Sequence, residues 1–263
     1  MAIDILYYLM TGAFAGFAAG LLGVGGGLVI VPVLFTIFST AGFDAEVVMH
    51  MALATSLATI ILTSLSSSYA HHRRGAVLWR TVLLLSPGIA LGAWAGGALA
   101  ATLNTPVLKP VFAVFELLVA IQLLARLQPS QRSYSIGHLK AFGAGSMIGG
   151  VSAIVGIGGG TLTVPFLNWH DVPMRKAIAT SAACGLPIAV FATASYVFSG
   201  WDVDGLPAAS FGFVYLPALL CIAITSLLCA PLGARVAHAV PERALRIGFG
   251  ILLLLLGIRM LLS

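Results

Sequence analysis

Predominantly apolar segments that approach or exceed twenty residues recur along this chain of 263 residues, and they constrain its fold more than any other feature. A helix of about 20 such residues crosses the hydrocarbon of a bilayer. Four clear examples are Val47–Tyr69, Thr81–Ala101, Val107–Leu124 and Leu245–Leu262. Only 8% of the residues are charged, against 60% hydrophobic, which is too little polar surface for a soluble globule of this size. The sequence therefore predicts an all-α polytopic membrane protein.

A glycine-rich block occurs twice and divides the chain into two halves. The segment Gly20–Pro32 reads GLLGVGGGLVIVP, and Ala153–Pro165 reads AIVGIGGGTLTVP. Shorter matches follow in the same order in both halves: Thr55 and Ser56 with Thr180 and Ser181, then Tyr69 with Tyr196. We predict two membrane repeats, residues 1–130 and 131–263, each with a glycine-broken helical hairpin followed by three transmembrane helices.

The charges in the loops orient the two repeats, because short cytoplasmic loops retain Lys and Arg. One topology places all thirteen basic residues except Lys109 and Arg259 on the cytoplasmic side. In that topology the loop after Tyr69 is cytoplasmic and the loop after Tyr196 is external. The repeats are then inverted, both termini lie on the periplasmic side, and the two hairpins enter the membrane from opposite faces.

The hairpins are expected over Ile5–Phe38 and Leu139–Trp169, with the glycines at their tips. Glycine removes side chains where the second leg starts, and a helix start carries unpaired N–H groups and about half a positive charge, which suits an anion. The alternative is close helix packing through small residues, which is how we interpret Gly12, Gly16 and Gly20. The candidate binding glycines are Gly25, Gly26, Gly27, Gly158, Gly159 and Gly160.

Several polar side chains near the repeats are further candidates. The hydroxyls of Thr55, Ser56, Thr180 and Ser181 are placed to donate to anion oxygens, or else bond back to their own helices. Tyr69 and Tyr196 are either binding residues or interfacial anchors. Four basic residues are candidates for a cationic gate, or else serve only to set the orientation of the chain in the membrane. They are His50, His72, Arg73 and Arg175.

Glu116 is the one carboxylate well inside an apolar span, and intramembrane acids are costly and often functional. It is a candidate for proton coupling, and a structural glutamate facing a neighbouring subunit is the alternative. The sequence contains no nucleophile–base pair, no H-E-x-x-H motif and no metal-ligand triad, so we expect neither catalysis nor a metal or cofactor. Nucleic acid is not an expected partner, because no basic stripe carries interleaved aromatics.

The chain resembles the TauE/SafE family of sulfite and organosulfonate exporters. The resemblance rests on the paired G-x-G-G-G-x-x-x-V-P blocks at Gly23–Pro32 and Gly156–Pro165, on the two A-T-S signatures, and on the His72–Gly75 segment. It implies export of a small sulfur-containing anion across a bacterial cytoplasmic membrane, by alternating access coupled to an ion gradient. A passive anion channel, or a permease for another small organic anion, is the alternative. The expected partners are a small anion, the lipid bilayer and, as one option, a second copy in a homodimer.

Overall fold

A computed structural model describes residues 2–22, 26–125, 137–237 and 241–262. Within these ranges the chain forms helices and one short antiparallel ribbon, which confirms the all-α polytopic class. The first half contains α1 (Ala2–Leu22), α2 (Gly27–Thr40), α3 (Val48–Arg73), α4 (Trp79–Thr102) and α5 (Thr105–Leu124). The second half contains α6 (His138–Val155), α7 (Gly160–Trp169), α8 (Met174–Ser199), β1 (Ser210–Phe211), β2 (Val214–Tyr215), α9 (Leu216–Ala237) and α10 (Glu242–Leu262). The proposed repeat boundary at residue 130 and the candidate Gly25 lie outside the described residues.

Six of the described helices are long and apolar enough to cross a membrane, three in each half. They are α3, α4 and α5, then α8, α9 and α10. The sequence suggested that His72 and Arg73 lie in the loop after Tyr69. Helix α3 instead continues to Arg73, so both residues belong to its last turn. The helix continues because no proline or glycine follows Tyr69 until Gly75, whose φ of +63° suits the turn.

The broken segments form two helices each, and their legs are unequal. Helices α1 and α6 have 21 and 18 residues, which is about 32 and 27 Å at 1.5 Å per residue. Helices α2 and α7 have 14 and 10 residues, or about 21 and 15 Å. The first legs therefore nearly match a hydrocarbon thickness of about 30 Å, and the second legs do not.

Each first leg packs against the opposite half, where glycines allow the close approach. Helix α1 runs along α9, and a Cβ at Gly12 or Gly16 would collide with the backbone of Ile222 or Ser226. The packing interpretation of Gly12 and Gly16 is thus confirmed. Helix α6 runs along α4 in the same manner, with Gly92 against the backbone of Ser146. The two hairpins are therefore held by helices of the other half.

Helices α3 and α8 pack against each other at the centre, and α5 packs against α10 at the periphery. Helix α3 is buried without interruption from Val48 to Ile60, as expected for a helix surrounded by protein. The contacts between the halves come in equivalent pairs. In the repeat α1 corresponds to α6 and α9 corresponds to α4, so the α1–α9 contact is equivalent to the α6–α4 contact. The inverted orientation of the halves rests on the loop charges and stays a prediction.

A two-stranded ribbon precedes α9 and was not predicted from the sequence. Ser210 pairs with Tyr215, and Phe211 pairs with Val214. The turn depends on Gly212, which has φ of +55° and would collide with the backbone of Val197 if it carried a Cβ. The ribbon places Tyr215 in an aromatic cluster that also contains Tyr8, Phe38 and Phe43.

The α4–α6 contact can be tested by adding one methyl group. Gly92→Ala would force the two backbones apart, so we expect a loss of about 1–3 kcal/mol in unfolding free energy, measured by thermal or denaturant unfolding in detergent. Gly143→Ala on α6 is the matched control, because nothing lies within 4 Å of its Cβ position. Equal stability of the two variants would contradict the proposed packing.

Candidate functional site where the glycine segments meet

The two glycine segments touch each other near the middle of the molecule. A Cβ at Gly27 would lie 2.7 Å from the carbonyl oxygen of Gly156 and 3.0 Å from the Cα of Ile157. Gly156 ends α6 with a left-handed φ of 69°, and its own Cβ would lie 2.7 Å from Cδ2 of Leu53. Gly156 therefore has to be glycine because of its backbone conformation and the space around it, and Gly27 because of the space alone. The two broken segments approach each other at this contact.

A cavity of about 130 Å³ lies beside this contact. It is bounded by α1, the starts of α2 and α7, and parts of α3, α8 and α9. The lining glycines are Gly16, Gly20, Gly26, Gly158, Gly159, Gly160 and Gly185. The lining hydroxyl residues are Thr63, Ser64, Ser67, Ser181 and Ser226. The remaining lining residues are alanines and isoleucines, and none of the described lining residues carries a charge.

Two helix starts lie beside the cavity. Helix α2 starts after Gly26 and α7 starts after Gly159, and neither of these residues has a side chain to cap the helix. Within the described part of the chain, the N–H groups of Gly160 and Thr161 meet no protein acceptor, as is usual in the first turn of a helix. The site therefore offers oriented donors and partial positive charge without a lysine or arginine.

The A-T-S hydroxyls mostly connect the two halves. Thr55 Oγ1 accepts a hydrogen bond from the N–H of Tyr215 at 3.0 Å, just before α9. Thr180 Oγ1 accepts one from the N–H of Leu78 at 3.1 Å, just before α4. Ser56 donates to the carbonyl oxygen of Gly156 at 2.9 Å. These three side chains do not line the cavity, whereas Ser181 does, with its hydroxyl donating to its own helix.

The two matched tyrosines have opposite environments. Tyr69 is 64% exposed, whereas Tyr196 is fully buried and donates to the carbonyl oxygen of Ala153 at 3.2 Å. Its neighbour Ser195 donates to the carbonyl oxygen of Trp94 at 2.9 Å. These bonds connect the C-terminal end of α8 to α6 and α4.

The basic candidates lie away from the cavity. His50 is buried, donates from Nε2 to the carbonyl oxygen of Leu103 at 2.8 Å, and stacks on Phe213. His72 is exposed and accepts a hydrogen bond from the Trp79 indole. Arg73 and Arg175 are also exposed.

Glu116 is separate from the cavity as well. It is fully buried in α5, and neither of its carboxylate oxygens has a hydrogen-bond partner among the described residues. An ionised carboxylate in such a position would cost several kcal/mol.

One face of α3 carries hydroxyl residues that were not predicted as site residues from the sequence. Ile60, Thr63, Ser64 and Ser67 follow the i, i+3, i+4, i+7 spacing of one helix face, and all four line the cavity. This periodicity in the stretch from Ile60 to Ser68 was the signal that could have identified them. Ser226 on α9 and Gly185 on α8 carried no comparable signal, because their neighbours come from distant segments.

Comparison with known proteins identifies the family. The family model described as Sulfite exporter TauE/SafE matches residues 8–260. A probable membrane transporter protein of Haemophilus influenzae is 36% identical over 260 residues, covering 98% of each chain. Another from Methanocaldococcus jannaschii is 25% identical over 256 residues, covering 97% of this chain and 94% of the relative. The chain therefore belongs to the TauE/SafE sulfite exporter family of multi-pass membrane transporters.

Proposed function

We propose that this transporter exports a small sulfur-containing anion, such as sulfite or an organosulfonate, and that the anion binds in the cavity where the glycine segments meet. The observation that carries the proposal is the contact of Gly27 with Gly156, which brings two helix starts to one cavity. The description of the family as sulfite exporters supports a sulfur oxyanion. The proposed location is a bacterial cytoplasmic membrane, with both termini on the periplasmic side.

An uncharged donor site suits transport of an anion. Each helix start contributes roughly half a positive charge and several N–H donors. The site can therefore stabilise a negative charge within the membrane without the stronger attraction of a buried lysine. An anion held only by neutral donors is released more readily once water reaches it, and turnover requires such release.

Alternating access is the proposed mechanism. The cavity residues on α3 lie between the glycine contact near Leu53 and the end of the helix at Arg73, which the loop charges assign to the cytoplasm. At the corresponding end of α8, Ser195 and Tyr196 donate hydrogen bonds to α4 and α6. We interpret this conformation as inward-facing. In the outward-facing state, the C-terminal end of α8 would become accessible and that of α3 would become packed.

Glu116 is the proposed proton carrier for coupling. It is fully buried without a hydrogen-bond partner in the described part of the chain, and α5 packs against α10, α3 and α6. An acid in such a place crosses hydrocarbon at far lower cost when it carries a proton. Proton uptake and release at Glu116 would then accompany the movement of the surrounding helices.

Filling the cavity tests the binding site. Gly26→Leu should reduce sulfite flux in proteoliposomes to background, because the nearest atoms to its Cβ are side-chain atoms of Ile30 and Ala15, and the new side chain extends into the cavity. The matched control is Gly248→Leu on α10, which has open space around it and should keep wild-type flux. Undiminished flux in Gly26→Leu would refute the site, and flux that never saturates with concentration would favour a channel.

Cysteine labelling tests alternating access. In a background with Cys184, Cys221 and Cys229 changed to alanine, Tyr69→Cys should react with an impermeant maleimide from the cytoplasmic side. Tyr196→Cys should react from the periplasmic side only while substrate drives turnover, since this position is buried in the inward-facing state. During turnover the reactivity of Tyr196→Cys should rise while that of Tyr69→Cys falls. A Tyr196→Cys variant that never reacts would contradict alternating access.

Proton coupling is tested at Glu116. Glu116→Gln should make flux independent of an imposed pH gradient, while exchange of sulfite between equal pH values continues. Glu46→Gln is the control, because this acid lies in an exposed loop and should leave the pH response unchanged. A Glu116→Gln variant that still responds to the gradient like the wild type would exclude the assignment.

A further inference from the structure

Ser64 is a buried hydroxyl that faces the cavity without a protein partner. It is only 8% exposed, it lines the cavity, and it makes no hydrogen bond to any described residue. Serines within membrane helices usually bond back to their own helix, as Thr63 does here to the carbonyl oxygens of Thr59 and Ile60. The Ser64 hydroxyl is therefore free to donate to a ligand in the cavity.

Ser67 extends the same face by one helical turn. It is half-buried, it also lines the cavity, and its hydroxyl likewise has no bond to a described residue. Two free donors therefore lie three residues apart on α3, on one side of the cavity.

The start of α7 lies close to Ser64. A Cβ at Gly185 on α8 would be 2.8 Å from Ser64 Oγ and 3.6 Å from the backbone nitrogen of Gly159. A Cβ at Gly159 would in turn lie 2.8 Å from the carbonyl oxygen of Ser181. Missing side chains at Gly159 and Gly185 thus let α3, α8 and the start of α7 converge around the Ser64 hydroxyl.

We infer that Ser64 and Ser67, together with the N–H groups at the start of α7, recognise an oxyanion head with three oxygens around a central sulfur. This inference rests on the proposed function and specifies the recognition chemistry of the same cavity. The donors come from separate helices, and a three-oxygen head can present an oxygen to each of them. A carboxylate is less well matched, because its acceptor lone pairs all lie in one plane.

Small residues form the cavity walls between the donors. The cavity of about 130 Å³ is lined by small residues between the donors, including Ala15, Ala19 and Ala182. The small side chains leave space between the donors for a compact head group such as that of sulfite or a sulfonate.

Binding measurements on the full-length purified chain test the inference, with sulfite, methanesulfonate and acetate as probes. Ser64→Ala and Ser67→Ala should each weaken sulfite and methanesulfonate binding by about tenfold, since each removes one hydrogen bond to a charged group. Acetate binding should change much less. Ser86→Ala is the matched control, because its hydroxyl donates to Val82 within its own helix.

Gly185→Ala provides a second variant that keeps both serines. Its methyl group would lie 2.8 Å from Ser64 Oγ and displace that hydroxyl, so the same loss of selectivity is expected. Ligand-free melting temperatures near the wild-type value show that each variant is folded.

The outcomes separate this inference from the proposed function. Wild-type affinity for sulfite in the folded serine variants, with flux retained, would overturn the role of the hydroxyls and leave sulfite transport in place. An equal loss for acetate and sulfite would overturn the three-oxygen assignment. A wild-type chain that neither binds nor transports any sulfur oxyanion would overturn the proposed function and the inference together.

Discussion

The need to satisfy backbone polar groups at membrane depth is the constraint on which the rest of this structure depends. A helix interrupted within the bilayer leaves N–H and C=O groups without partners, and such backbone is tolerated only inside protein or beside a wet cavity. In both broken segments the first leg packs against a helix of the opposite half, α1 against α9 and α6 against α4. Ser56 meets the carbonyl oxygen of Gly156 directly. The interlocked architecture follows from the need to bury the broken segments.

Glycine serves two purposes in this arrangement. At Gly12, Gly16 and Gly92 it lets helix backbones approach closely, and the resulting contacts hold the hairpins in place. Beside the cavity it lets Gly27 meet Gly156 and lets backbone next to the helix starts form part of the lining. The same residue type therefore supplies both the scaffold and the donors of the candidate site.

Much of the architecture followed from sequence patterns, and parts of the candidate site did not. The hairpin limits and three spans per half were recoverable because hydropathy and glycine interruptions are local signals. The hydrogen bonds of Thr55 and Thr180 were not, because their partners at Tyr215 and Leu78 are 160 and 102 residues away. The ribbon before α9 also escaped prediction, since strands of two residues carry almost no pattern.

The sequence by itself determined the membrane class, the duplicated glycine blocks and the approximate helix limits, because each depends on residues close together in the chain. Only the tertiary structure decided which hydroxyls reach the cavity and which of the two tyrosines is buried. Tyr69 and Tyr196 occupy matching sequence contexts, yet only Tyr196 is enclosed by neighbouring helices. Such differences arise from the packing of distant segments, to which local composition and periodicity are insensitive.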